Sequence, residues 1–165
     1  MGIVSLLIVA PIASVHHTAI GQQQCHPSLW DHVYTPKRLT KVNDCITVTG
    51  TIHSQKVERD GDIHLTINVD NKFKHLLTPG NYLGKGGVKT SGYLVAEVVC
   101  QKQPKFHVAI AACQPKAGTY LHHILIPPDG SHVCITGSLV HDKNHPPQYP
   151  KGWAEIHPVS SIKKC

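Results

Sequence analysis

Near the carboxyl end, the segment G-W-A-E-I-H-P-V spaces Trp153, Glu155 and His157 two residues apart. Side chains of an extended strand alternate between faces, so these three share one face and Ala154 and Ile156 take the other. An imidazole beside a carboxylate can hold or pass a proton, and both groups can ligate a cation. Two more residues of the same types sit in alternating runs. His64 lies opposite the aliphatic row of I-H-L-T-I-N-V, and Glu97 lies opposite Leu94 and Ala96 in L-V-A-E-V. Asp142 and His145 follow a further apolar run, in H-D-K-N-H. Brought together by pairing strands, His64, Glu97, Glu155 and His157 make a set suited to zinc or another divalent ion. The same set could serve as general acid and base around a scissile bond. The competing reading is a structural hydrogen-bond network, because a chain with fourteen histidines brings one near most carboxylates by chance.

Other chemistry finds less support. No serine stands in a G-x-S-x-G context, and K-G-G-V-K-T at 85–90 has glycine and lysine without the spacing of a phosphate loop. That segment reads as a solvated hairpin tip. His122 and His123 read as exposed loop residues ahead of the apolar run 124–126.

The elements that must position these residues are mostly strands. Residues 46–53 alternate strictly, with Ile46, Val48, Gly50 and Ile52 on one face. Residues 63–69 alternate again after the tight turn Asp60-Gly61-Asp62, which makes the pair a hairpin. Residues 93–100, 132–141 and 153–159 supply a third, fourth and fifth strand. Helical signal is confined to 106–113, with a single turn at 72–77. Residues 80–92 hold five glycines and read as a mobile loop, and P-P-Q-Y-P-K-G at 146–152 must be a loop before the last strand. The expected class is all-β: a five-stranded OB-fold-like barrel with a short helix between strands three and four. Gly50 stands where the first strand must bend. A small β-sandwich or another open barrel is the alternative, and the lack of a long helix argues against an α/β sheet.

A hydrophobic fraction of 41% supports one core in 165 residues, and only 16% of residues are charged. That rules out a coiled coil or an acidic disordered chain. The net charge of +6 suits an anionic ligand without naming one. Residues 2–13 are uncharged and apolar but too short to span a bilayer, so they read as the core of a signal peptide. Ala19 and Gly21 place cleavage before Gln22, leaving no transmembrane span in the mature chain. Six cysteines in an exported chain, without a C-x-x-C pair, point to disulfides. Cys100–Cys113 and Cys25–Cys45 are the expected bridges, each clipping a segment beside a strand, and Cys134 and Cys165 remain. The expected organisation is a signal peptide at 1–21, a disulfide-tethered extension at 22–44, the OB-like domain at 45–162 and a tail at 163–165.

Five blocks carry a resemblance: C-I-T-V-T-G-T-I, D-G-D-I-H-L-T-I, Y-L-V-A-E-V-V-C, H-V-C-I-T-G-S-L-V-H-D-K-N-H and G-W-A-E-I-H-P-V. Over roughly residues 40 to 162 the chain resembles a family of small exported OB-like domains that end in H-x-W-x-E-I-H-P-V. The resemblance implies the fold and export and brings no activity. The segment P-P-Q-Y-P-K-G before Trp153 departs from the family's usual pattern. Two functional readings follow. The first is an exported OB-like binding or accessory module for an extracellular ligand. The second is a small metal-dependent hydrolase using His64, Glu97, Glu155 and His157. Nucleic acid is the usual guess for an OB plan, through a basic groove and stacking aromatics. It is not favoured here, because the basic residues are scattered and only Tyr82, Tyr93, Tyr120, Tyr149 and Trp153 could stack.

Overall fold

The computed structural model describes residues 25–83, 89, 91–115, 123–145 and 152–165. The expected signal peptide, His122, most of the 85–90 tip and residues 146–151 of the last loop lie outside them. Five strands form one mixed sheet: β1 (Leu39–Val57), β2 (Ile63–Val69), β3 (Leu94–Val98), β4 (His132–Asp142) and β5 (Trp153–Lys164). The sheet closes into a ring in the order β1-β2-β3-β5-β4. Only the β3–β5 ladder is parallel. Helix α1 (His107–Cys113) lies between β3 and β4, and a 3-10 turn at Asn71–Leu76 stands where a helical turn was expected.

The alternation of the sequence sets the core. Val48, Ile52, Leu65, Ile67, Leu94, Ala96 and Val98 are at most 1% exposed and point into the ring, where Ile135 and Ile156 meet them. Strand β1 serves two neighbours, pairing with β4 from Leu39 to Thr51 and with β2 from Gly50 to Val57. Gly50 belongs to both ladders. A Cβ there would lie 2.6 Å from the Asn68 carbonyl oxygen and 2.7 Å from the Val69 Cα, so the close approach requires glycine.

Two strands outrun their periodicity. β1 begins seven residues earlier than the alternation at 46–53 indicates, because residues 40–45 are exposed and carry no apolar rhythm. Their pairing with β4 extends the strand, through register shifts between Lys41 and Ile46. β5 continues past Pro158, which has no N–H to give its neighbour, and the β4–β5 ladder shifts register around Gly137 opposite it.

Residues 25–38 form a second layer outside the ring. Leu29 and Val33 pack on Val99, with Trp30, Leu39 and Cys100 around them. Trp30 Nε1–H donates to Ser138 Oγ at 3.2 Å, the His26 backbone N–H donates to Ser160 Oγ at 3.1 Å, and His32 Nδ1–H donates to the Ala112 carbonyl at 2.8 Å. Every residue of β3 is buried, on the outer face as well as the inner. The disulfides are Cys25–Cys45, Cys100–Cys113 and Cys134–Cys165. They staple the extension to β1, the end of β3 to α1, and β4 to the chain's end. Three bridges in a domain of this size fit an oxidising, extracellular compartment. Among the described residues, no helix is long and apolar enough to cross a membrane.

Candidate functional site

The outer face of β2, β3 and β5 gathers the predicted polar residues into one strip. His64 and Glu97 are paired across the β2–β3 ladder, and His64 Nδ1–H donates to Glu97 Oε1 at 2.7 Å. On β5, Glu155 takes the Trp153 indole N–H on Oε2 at 2.7 Å and His157 Nδ1–H on Oε1 at 3.0 Å. The shared parity of Trp153, Glu155 and His157 is therefore a run of hydrogen bonds along one strand. Val95 and Ala96 pair with Glu155 and Ile156, so Glu97 stands one step on, beside His157. The two halves of the strip abut there.

Asp142 ends β4 and has no exposed surface. Its Oδ2 accepts from His145 Nδ1 at 2.8 Å and from Arg38 Nη1 of the extension, and Arg38 also lies 3.9 Å from Glu155 Oε1. His145 stacks on Trp153 with ring centroids 4.9 Å apart, and His64 meets Trp153 edge-on at 6.0 Å. His145 and Trp153 are also joined through the backbone, since the Trp153 N–H donates to the His145 carbonyl at 2.6 Å. Gly152, at φ +62°, permits this closure: a Cβ there would fall on the Asp142 carbonyl.

Sequence reasoning missed Asp62 and Arg38. Asp62 is 3% exposed and accepts the Cys100 backbone N–H at 2.7 Å. It shares parity with His64, a signal the turn motif D-G-D obscured. Arg38 sits in a 3-10 turn, Pro36–Arg38, with no period to mark it.

Of the four carboxyls here, Asp142 and Glu155 face the Arg38 guanidinium, Glu97 faces His64, and Asp62 accepts the Cys100 N–H. Burial disfavours charge on His64 and His157, yet their bonds to Glu97 and Glu155 outweigh it and raise both pKa values. Burial would likewise raise Glu155, but His157, Arg38 and Trp153 hold it below the usual carboxylate range. Burial pushes Asp62 up to about 8, with Asp60 and Glu97 adding to the effect and His157 and the Cys100 N–H opposing it. His145 is lowered by burial and by Arg38.

The expected metal tetrad is thus two hydrogen-bonded pairs rather than four donors round one point. Among the described residues, the only three such donors lying within 4.8 Å of one another are those of Asp62, Cys100 and Cys113, and those two sulfurs are joined as a disulfide. Two buried atoms in the strip lack a partner among the described residues, Glu97 Oε2 and His157 Nε2. Of the other aromatics, Tyr93 is stacked against His53 at 4.4 Å and Tyr82 is 39% exposed, while Tyr120 and Tyr149 lie outside the described residues. Comparisons with protein-family models, curated proteins and solved structures return no match for this chain.

Proposed function

We propose that the chain is an exported OB-like binding module whose ligand face is the edge formed by His64, Trp153 and His145, and that the ligand is a hydroxyl-bearing ring such as a saccharide. The single observation that carries this reading is the held indole of Trp153. Its N–H is fixed on Glu155, and two imidazole rings flank it at a partly exposed edge. The closed five-strand order β1-β2-β3-β5-β4 supports the OB-like reading, and ligands of an OB barrel lie on strands two and three and beside the loop between four and five. His64 and Glu97 occupy the first place, and His145 and Trp153 flank the second. Export is supported by the apolar run at residues 2–13 and by three disulfides. A sugar's hydroxyls would find acceptors in Glu97 and the imidazoles. A phosphate would meet Glu97, Glu155 and Asp142, which weighs against nucleic acid despite the net charge of +6.

The test is titration calorimetry of the mature protein against neutral, acidic and sulfated oligosaccharides. A neutral glycan should bind, and Trp153→Ala should weaken it at least tenfold, on the order of what losing an aromatic anchor costs, with the fold intact by circular dichroism. Preference for sulfated glycans would restore the anionic ligand expected from composition, and no binding to any of them would reject the reading.

The second reading, a metal-dependent hydrolase, draws on the unpartnered Glu97 Oε2 and His157 Nε2 on neighbouring strands. Its ligands would be His64, Glu97, Glu155 and His157 around zinc, and the pairs would have to turn toward each other. Stoichiometric zinc in untagged protein, lost in His157→Ala with the fold retained, would establish it.

A further inference from the structure

Asp62 is a buried carboxyl that neither functional reading uses. It lies where the hairpin of β1 and β2 meets the end of β3, and among the described residues it has no salt-bridge partner. Its nearest company is a disulfide. One carboxylate oxygen of Asp62 and the sulfurs of Cys100 and Cys113 all lie within 4.8 Å of one another. Tetrahedral zinc holds sulfur at about 2.3 Å and carboxylate oxygen at about 2.1 Å, which puts its donors about 3.6 Å apart. While the bridge is closed the sulfurs have no charge to offer, and no cation is expected there. Two sulfurs and a carboxylate on three different segments are otherwise a thiophilic ligand set.

We propose that opening the Cys100–Cys113 disulfide creates a binding site for a thiophilic divalent cation such as zinc, with Asp62, Cys100 and Cys113 as its ligands. A dithiol supplies the two electrons. Its thiolate attacks one sulfur and the Cys100–Cys113 bond breaks. Its second thiol then displaces the mixed disulfide, leaving the reductant oxidised and the protein with two thiols. The cation displaces one proton from each thiol, and the Asp62 proton as well below about pH 8, and binds the two thiolates and the Asp62 carboxylate, with a fourth position for water. Asp62 remains placed by the Cys100 N–H, and both cysteines are half-buried, within reach of a small reductant. The proposed ligands share no residue with the Trp153 edge, so either proposal can fail alone.

Cobalt(II) and zinc serve as probes on the full mature chain. Oxidised protein should show no sulfur-to-cobalt charge transfer. After reduction by a dithiol, one equivalent of cobalt should bind with that absorption. Asp62→Asn, which keeps an acceptor for the Cys100 N–H, should weaken binding at least about tenfold, and Cys100→Ser with Cys113→Ser should abolish it. No binding after reduction would overturn the proposal, as would an unchanged spectrum in the double serine variant. A second measurement needs no variant. In reduced wild-type protein, zinc should slow alkylation of Cys100 and Cys113 while Cys25, Cys45, Cys134 and Cys165 react freely. Equal alkylation of all six, including by unfolding of the reduced chain, would also overturn it.

Discussion

Asp142 is fully buried and depends on two partners from different parts of the chain, Arg38 and His145. A carboxylate that loses its cation in such a place keeps the desolvation and loses the attraction. Arg38→Ala should therefore destabilise the protein by about 3 kcal/mol, the low end of the range for a broken buried pair, because Arg38 itself keeps 15% exposure. Urea unfolding of the variant against wild type measures it, and a loss below about 1 kcal/mol would show water replacing the guanidinium. Legibility at this scale depends on period. Trp153, Glu155 and His157 could be assigned to one face because a strand repeats every two residues. Arg38 could not be found that way, since it lies in an irregular turn 104 residues from Asp142.

At the scale of elements, two features of β1 make predictions. Gly50→Ala puts a methyl against the backbone of β2, at Asn68 and Val69, where no side chain can move aside. The expected cost is about 1–3 kcal/mol, read as a lower midpoint in urea without a change of slope. A variant as stable as wild type would mean that the two ladders can separate there. The bridge Cys25–Cys45 spans 20 residues and ties the outer layer to β1. Replacing both cysteines with serine should cost about 3 kcal/mol in the chain-entropy model. Proteolysis should then cut first in residues 25–38, and cleavage elsewhere would show the layer held by its own contacts. Periodicity located all five strands because each buries one alternating face. It missed the exposed start of β1, which exists through pairing with β4 alone, and it could not show that the outer face of β3 is covered as well.

For the molecule as a whole, titration of the strip sets the pH response of the oxidised protein. Asp62, His64 and His157 have folded pKa values above their unfolded ones. The stability they lend is complete below the unfolded values, 3.8 for Asp62 and 6.5 for the imidazoles, and is lost as pH rises through the folded values, about 8 for Asp62. Glu155 has the opposite sign, so its share is present above 4.5 and lost as pH falls. The melting temperature should thus peak at about pH 5–6 and decline toward pH 9. Asp62→Asn should already exceed wild type at pH 5, and by a margin that widens up to about pH 8 and persists at pH 9. Calorimetry at pH 5, 7 and 9 decides, and a profile for the variant that parallels wild type would contradict the assignment to Asp62. By itself, the sequence determined the strands, the hairpin, the helix position and the faces of most candidate residues, because alternation and turn chemistry act over a few neighbours. Six cysteines allow fifteen pairings; the two bridges preferred from their places beside strands are among those found, and the third joins the remaining pair. Only the tertiary structure decided which candidates touch. Ring closure places Glu97 beside His157, the outer layer delivers Arg38 to Asp142, and burial leaves Asp62 beside a disulfide. Each of these depends on residues far apart in the chain, whose approach is fixed by strand register and packing rather than by any local pattern.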